Sequence, residues 1–152
     1  NFITICYNIL MNEKNCVFCK FVAGEIPSIK VYEDGEILAF LDIAPVNIGH
    51  SLVIPKKHFP NVYETPEEIL GDMMKVAKSI AHSIKLNLKA DGVNITMNND
   101  SAAGQIIFHS HIHIIPRTKE DGFGMWKGRR GYNEGEKEEV AKKIASATPL
   151  KL

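Results

Sequence analysis

The chain has 152 residues, of which 45% are hydrophobic and 24% charged, and its 18 basic side chains equal its 18 acidic ones. This length predicts one compact domain, and the composition excludes a disordered, collagen-like or disulfide-scaffold chain. The balanced charge lacks the field with which duplex-binding proteins displace counterions, so we expect no nucleic-acid partner. No apolar run of about 18 residues is present, which predicts no membrane span.

The first ten residues differ from the rest of the chain. They are apolar but lack both a basic flank and a small-residue cleavage pattern, which makes them a poor secretory signal. Met11 opens a polar stretch, so we expect residues 1–10 to be an upstream or non-native extension. Residues 11–152 are then the single domain, with a C-terminal tail from about residue 117.

The first predicted elements are a short helix and three strands. Apolar residues at helical spacing from Val17 to Val22 predict a helix that ends at Gly24. Two strands over 31–33 and 37–41 form a hairpin, and a third strand covers 51–55.

A long helix follows at the clearest boundary in the sequence. Thr65 is predicted as its N-cap, Pro66 as its first residue and Glu68 as the partner in a capping box. An apolar stripe predicts that one face of this helix packs on a core, and its members are Ile69, Met73, Val76, Ile80 and Ile84.

The second half predicts two strands and a final helix. The strands cover 93–97 and 106–116, and the helix runs from Glu136 to Ala147 with Val140 and Ile144 facing inward. Five mostly hairpin-linked strands without regular βαβ alternation predict an α+β fold with an antiparallel sheet.

Three histidines alternate along the strand predicted over 106–116. In an extended chain His109, His111 and His113 project from one side, and the apolar residues between them take the other. A row of desolvated imidazoles is costly unless metal, substrate or mutual hydrogen bonds occupy it. Neutral imidazole is also a competent nucleophile towards phosphorus, so the row predicts a catalytic site.

Cys16 and Cys19 form a C-x-x-C pair. This spacing is typical of tetrahedral zinc sites, which need two further ligands, and His58 and His109 are the candidates. A redox dithiol and plain packing remain open as alternatives. A lone pair of this kind, once Cys6 of the extension is set aside, indicates a reducing compartment, and we expect a cytoplasmic location.

The order of motifs resembles the histidine triad, or HIT, family in its Hint branch. The residues that carry the resemblance are C-x-x-C at 16–19, Ile26-Pro27, the segments 31–34 and 39–43, Gly49 to His58, Asn98-Asn99, Gly104-Gln105 and the triad at 109–115. The resemblance runs from about Cys16 to Phe123. It implies a five-stranded antiparallel sheet with a long helix, a short N-terminal helix and a C-terminal helix, paired in a homodimer into ten strands.

The resemblance also implies a function. It is that of a hydrolase or transferase acting on the α-phosphate of purine nucleoside phosphoramidates and related conjugates, with a nucleotidyl-histidine intermediate and release of the nucleoside monophosphate. His111 would be the nucleophile and His113 would bind the phosphate, while His109 completes the triad. The nucleotide contacts implied are Asp42 on the ribose, Ile43, Phe18 and Phe21 around the base, and Asn98, Gly104 and Gln105 near the phosphate. Zinc in a structural role would take Cys16, Cys19, His58 and His109.

One residue departs from the family pattern. Many members carry Ser or Thr after Gly-Gln, where a hydroxyl assists the leaving amine, and this chain has Ile106. Two alternatives to an enzyme therefore stay open: a purine nucleotide-binding regulatory module with little turnover, and a zinc-stabilised dimer with a vestigial site.

Overall fold

The computed structural model describes residues 13–124 and 131–147. The extension predicted over residues 1–10 lies outside them. The chain divides into two compact units, residues 1–121 and 122–152, each of which is described by itself. Within the described ranges, no helix has both the length and the apolar character needed to cross a membrane.

The first unit contains one antiparallel sheet of five strands in the order β1-β2-β3-β5-β4. The strands are β1 (Lys30–Glu33), β2 (Ile37–Leu41), β3 (Ser51–Pro55), β4 (Gly92–Thr96) and β5 (Ile112–Arg117). The predicted α+β class with a five-stranded antiparallel sheet is confirmed.

The described residues form three α-helices: α1 (Val17–Ala23) and α2 (Glu67–Asn87) in the first unit, and α3 (Glu136–Ala147) in the second. Helix α1 ends where predicted, because Gly24 adopts the left-handed conformation with φ 74°. The inward position predicted for Ile144 on α3 is wrong, since this side chain is 64% exposed. The described part of this helix is dominated by charged residues and offers too few apolar positions for a buried stripe.

The two faces of the sheet build two separate cores. On one face Ile37 and Ala39 of β2 pack with the apolar stripe of α2, and on the other Leu38 and Phe40 pack with α1. A strand covered on both faces has no polar side, which explains why β2 reads as a continuous apolar run. The α2 face carries the larger apolar cluster, whereas the α1 face also borders the candidate functional site.

The predicted cap of α2 is wrong. The helix begins at Glu67 with Pro66 in the cap position, and no side chain caps it. The Thr65 hydroxyl is instead buried and lies 2.7 Å from the Asn61 carbonyl oxygen and 2.9 Å from Ser110 Oγ. A hydroxyl used in these tertiary hydrogen bonds is not available to the first turn of the helix.

The strand predicted over 106–116 is shorter than expected. Strand β5 begins only at Ile112, so His109 and His111 precede it. The preceding segment does not join the sheet, because the Ser110 N–H donates to the Phe59 carbonyl and the His109 N–H donates to the Ile107 carbonyl. His113 alone of the three triad histidines lies within the strand.

Gly49 holds the turn before β3 in a conformation that only glycine accepts without strain. Its φ is +94°, and a Cβ atom built there would lie 2.5 Å from Leu88 Cδ1. We expect Gly49→Ala to lower the free energy of unfolding by about 1–2 kcal/mol, the cost of a left-handed residue with a side chain. Urea denaturation measures this loss. Gly35→Ala is the control, since Gly35 has open space around it and no positive φ; equal stabilities of the two variants would contradict the prediction.

Candidate functional site

A cavity of about 330 Å³ opens on the α1 side of the sheet, within the range typical of small-molecule sites. It is lined by Val17, Phe18, Phe21, Phe40, Asp42, Ile43, Leu52, Asn98, Gly104, Ile106, Ile107, His111 and His113. One wall is aromatic and aliphatic, and the other combines two imidazoles, one carboxylate and one amide. The cavity therefore offers a ligand an apolar surface next to a small number of polar groups.

The cavity brings together most of the residues that the sequence singled out. Eight of the predicted nucleotide and catalytic residues line it, namely Phe18, Phe21, Asp42, Ile43, Asn98, Gly104, His111 and His113. Gln105 and His109 do not line it. His109 is fully buried and belongs to the neighbouring cysteine cluster.

His111 has its tautomer fixed by a backbone carbonyl. Its Nδ1 lies 2.6 Å from the His109 carbonyl oxygen, which can only accept a hydrogen bond. Nδ1 therefore carries the proton, and Nε2 keeps an unprotonated lone pair. Phe18 packs edge-on against this ring at a centroid distance of 5.4 Å. His111 is thus held as a neutral imidazole with a nucleophilic Nε2.

His113 is oriented by a short chain of hydrogen bonds through His50. The Val46 N–H donates to His50 Nδ1 at 3.3 Å, so the proton of His50 is on Nε2. That Nε2 lies 3.0 Å from His113 Nδ1 and donates to it. His113 consequently carries its proton on Nε2, which makes that atom a hydrogen-bond donor.

Burial keeps all three of these imidazoles neutral near pH 7. Desolvation lowers the pKa of His111, and it lowers the pKa of His113 to about 4, with the neighbouring His111 and His50 adding to the effect. Desolvation also lowers the pKa of His50 and outweighs the opposing pull of Asp42. The 3.7 Å contact between Asp42 Oδ2 and His50 Nδ1 is therefore not an ion pair at neutral pH.

Asp42 stands at the end of β2 with its carboxylate partly in the cavity. Its Oδ1 accepts the Ala44 N–H at 2.9 Å, and its side chain is 20% exposed. One carboxylate oxygen is thus used to fix the loop after β2. The other remains in position to accept hydrogen bonds from a ligand.

The loop after β4 closes the polar side of the cavity. Gln105 is buried because its side chain accepts the Asp100 N–H at 2.8 Å and donates to the Pro60 carbonyl at 2.6 Å. The N–H groups of Gly104 and Gln105 donate to the carbonyls of Ser101 and Asp100. These two amides were expected to help bind phosphate, and the structure uses them inside the turn instead. Gln105 shapes the loop without reaching the cavity.

Cys16, Cys19, His58 and His109 form a cluster whose ligand atoms all lie within 4.8 Å of one another. His109 Nδ1 is 3.5 Å from each sulfur, His58 Nδ1 is 3.3 Å from the Cys19 sulfur, and the two Nδ1 atoms are 3.2 Å apart. Zinc bond lengths of about 2.3 Å to sulfur and about 2.0 Å to nitrogen place tetrahedral ligands at roughly these separations. The donor set and its spacing fit a four-coordinate zinc ion.

The surroundings of the cluster support the same fit. His109 Nε2 donates to the Pro55 carbonyl at 2.8 Å, which leaves Nδ1 as the lone-pair nitrogen facing the thiols. Burial, together with the adjacent Cys16, raises the pKa of the Cys19 thiol to about 12. A thiol with this pKa stays protonated at neutral pH unless a cation such as a metal ion stabilises the thiolate.

The sequence did not predict two apolar lining residues of the cavity, Phe40 and Leu52, or the role of His50. Phe40 and Leu52 read as core positions, and only the strand alternation that sends them to the α1 face distinguishes them. His50, which follows Gly49, is not among the predicted site residues. Its contact with His113 joins β3 to β5, and no local pattern predicts such a cross-strand pair.

Comparisons with known proteins agree with the geometry of the site. A family model described as "HIT domain" matches residues 23–120. The protein named "Protein hit" of Bacillus subtilis is 52% identical over 116 residues, which are 75% of this chain and 80% of that protein. "Adenylylsulfatase HINT3" of Arabidopsis thaliana is 46% identical over 109 residues, which are 72% of this chain and 55% of that protein.

Two solved structures show the same fold. A member of the HIT family of proteins from Bacillus subtilis matches with a TM-score of 0.82 and 43% identity, covering 90% of this chain and 99% of that one. A Zn-bound histidine triad family protein from Mycobacterium smegmatis matches with a TM-score of 0.71 and 37% identity, covering 90% of this chain and 100% of that one.

The His50–His113 pair predicts a pH-dependent stability. Burial lowers both pKa values below 6.5, that of His113 to about 4, so between these values the unfolded chain binds more protons. Stability is therefore fully present above about pH 6.5 and is lost as the pH falls towards 4. We expect the midpoint of urea denaturation to drop more between pH 7.5 and pH 5 in the wild type than in a His50→Gln, His113→Gln double variant.

The double variant serves as the comparison, because the titrating groups that do not contact the pair are common to both proteins and cancel. Equal drops in the two proteins would show that the pair does not contribute to the pH dependence.

Proposed function

The chain belongs to the HIT domain family, and from this membership and the geometry of its cavity we propose that it is a purine nucleotide-binding hydrolase. The bond it cleaves is on the α-phosphate of a nucleoside phosphoramidate or a related nucleotidyl conjugate. The Arabidopsis relative is named as an adenylylsulfatase, which supports a conjugate of this chemical type as the substrate.

The observation that carries the proposal is the complementary state of two neighbouring imidazoles. The His111 and His113 rings are 4.9 Å apart between centroids, and both line the same cavity. His111 presents a free lone pair on Nε2, whereas His113 presents an N–H on its own Nε2. A nucleophile beside a hydrogen-bond donor is the pairing that attack on a phosphate ester requires.

The reaction proceeds in two displacements. His111 Nε2 attacks the α-phosphorus, the bond from phosphorus to the leaving group breaks, and the leaving group departs with the bonding electron pair. Water then attacks the phosphorus of the nucleotidyl-histidine: its oxygen forms the new P–O bond, the P–Nε2 bond breaks, and the electron pair of that bond returns to His111. The proton lost by the water passes to solvent, which also supplies the proton taken up by an amine leaving group. The His113 N–H donates to a non-bridging phosphate oxygen in both steps, and the nucleoside monophosphate is released.

The rest of the cavity binds the nucleoside. Phe18, Phe21 and Ile43 form an apolar slot for a purine base, and Asp42 accepts hydrogen bonds from the ribose hydroxyls. Asn98 lies beside Gly104 on the phosphate side, where its amide donates to the α-phosphate. Gly104 adopts φ +88°, a left-handed conformation that favours glycine, and a Cβ atom built there would lie 3.6 Å from Asn98 Nδ2.

Zinc fits the cluster as a structural ion. Cys16, Cys19, His58 and His109 would supply all four ligands, which leaves no open position for substrate. When bound, the ion supplies a cross-link between segments distant in the sequence. The zinc-bound relative from Mycobacterium smegmatis supports this assignment.

We further propose a homodimer with a continuous ten-stranded sheet, formed by edge-strand pairing of two five-stranded sheets, and a cytoplasmic location. The alternative function is a regulatory module that binds the nucleotide with little turnover. Ile106 is the observation that favours it, because no hydroxyl stands at this position to protonate a leaving amine.

The nucleophile is tested by substitution. We expect His111→Ala to lower AMP release from adenosine 5′-phosphoramidate by at least about 10³-fold, because the variant has no atom to form the intermediate. Product formation is followed by chromatography, with bound zinc measured on the same samples. His82→Ala is the control, since His82 is exposed on α2 and outside the cavity, and it should retain full activity. Equal, negligible release by wild type and variant, despite AMP binding, would establish the regulatory module instead.

The leaving group is tested at Ile106, which is 88% exposed at the cavity. We expect Ile106→Ser to raise turnover of the phosphoramidate by roughly 10- to 100-fold, because a hydroxyl can protonate the departing amine. Turnover of adenosine 5′-phosphosulfate should not change, because sulfate leaves without a proton. Ile43→Ser is the matched control: Ile43 is also 88% exposed and lines the cavity, and its loss should affect both substrates alike. An unchanged ratio of the two activities in Ile106→Ser would refute the prediction.

A further inference from the structure

Helix α1 belongs to two sites at once. Cys16 directly precedes its first residue and Cys19 lies in its first turn, while Phe18 and Phe21 of the same helix line the cavity. The helix has only 7 residues, and helices this short are marginal by themselves. Its position therefore depends on what holds its two turns, and the cysteine cluster holds the first of them.

His109 is a second link between the two sites. Its Nδ1 lies 3.5 Å from both sulfurs of the cluster, and its backbone carbonyl accepts the Nδ1–H of His111 at 2.6 Å. The residue that completes the cluster is thus the one that fixes the tautomer of the proposed nucleophile. Any shift of His109 moves the hydrogen bond that keeps His111 Nε2 unprotonated.

Phe18 packs helix α1 against two histidines of the triad. Its ring centroid lies 5.8 Å from that of His109 and 5.4 Å from that of His111, in edge-on contacts with both. Since Phe18 lies between the two cysteines, the cluster, the aromatic wall and the nucleophile form one contiguous packed unit. Packed units of this kind shift between discrete arrangements rather than deform gradually.

We propose that the Cys16, Cys19, His58, His109 centre positions the nucleotide site, so that metal binding and nucleoside monophosphate binding are thermodynamically coupled. This inference rests on the proposed function. The metal-binding residues act as positioning residues through α1 and His111 and do not touch the substrate. A centre that only stabilised the fold would change the fraction of folded protein and leave the affinity of the folded site for nucleotide unaltered.

The coupling is measured as affinity. We expect the Kd for AMP, determined by calorimetry, to be roughly tenfold higher in chelator-treated protein than in zinc-loaded protein, within the usual range of coupling factors. For phosphoramidate turnover, KM should rise and kcat should fall together. The control is Ile80→Val, which trims the core on the opposite face of the sheet and should lower stability with no change in the Kd for AMP.

A reciprocal measurement tests the same coupling from the zinc side, on protein shown by circular dichroism to stay folded throughout. Linkage requires AMP to raise the affinity for zinc by the same factor, so saturating AMP should lower the zinc Kd, determined by equilibrium competition with a chelator, by roughly tenfold. Asp42→Asn, which weakens the proposed ribose contact, should show no such change. This variant also controls for chelation of zinc by free AMP.

The outcomes separate the inference from the function on which it rests. Equal AMP affinity with and without zinc, and a zinc Kd unchanged by AMP, would overturn the coupling while the proposed function stands. Failure of the zinc-loaded protein to bind AMP would overturn both. Failure of the four-residue centre to bind zinc at all would overturn the coupling alone.

Discussion

The hydrogen bond from His109 Nε2 to the Pro55 carbonyl is the constraint on which the site depends. It anchors a fully buried imidazole to the end of β3 and leaves Nδ1 free to face the two cysteines. The backbone carbonyl of the same residue accepts the Nδ1–H of His111. His109 thus contacts the end of a strand, the candidate metal centre and the proposed nucleophile.

The two faces of the sheet have different roles: one carries core packing, and the other also borders the cavity. The face under α2 buries the larger apolar cluster, and the face under α1 shares its aromatic residues with the cavity. The short helix α1 cannot supply as much buried surface as the 21-residue α2, so the packing of α1 on the sheet needs additional stabilising contacts. The cysteine cluster lies on this side of the sheet.

Periodicity and motif spacing predicted the sheet and the helices, because those features depend on local pattern, whereas most of the cavity residues were implied by the resemblance to the HIT family. Three of the failures share a different cause, unlike the one at Ile144, where the helix offers too few apolar positions. Thr65 matches a capping sequence but bonds to Ser110 across the fold, and the segment before Ile112 alternates like a strand but bonds to the loop at Phe59. Gln105 turned inward for the same reason. In each case a hydrogen bond between distant segments overrides a local preference, and no single-sequence pattern reports such a bond.

The polar wall of the cavity is built from neutral imidazoles, one amide and one carboxylate, and no lysine or arginine lines it among the described residues. A phosphate bound there is held by dipoles rather than by counter-charges. Each additional phosphate on a nucleotide would add negative charge beside Asp42, and none of the described lining residues is a lysine or arginine that would offset it. ATP, although abundant in cells, therefore gains no electrostatic advantage at this site over a nucleotide with a single phosphate.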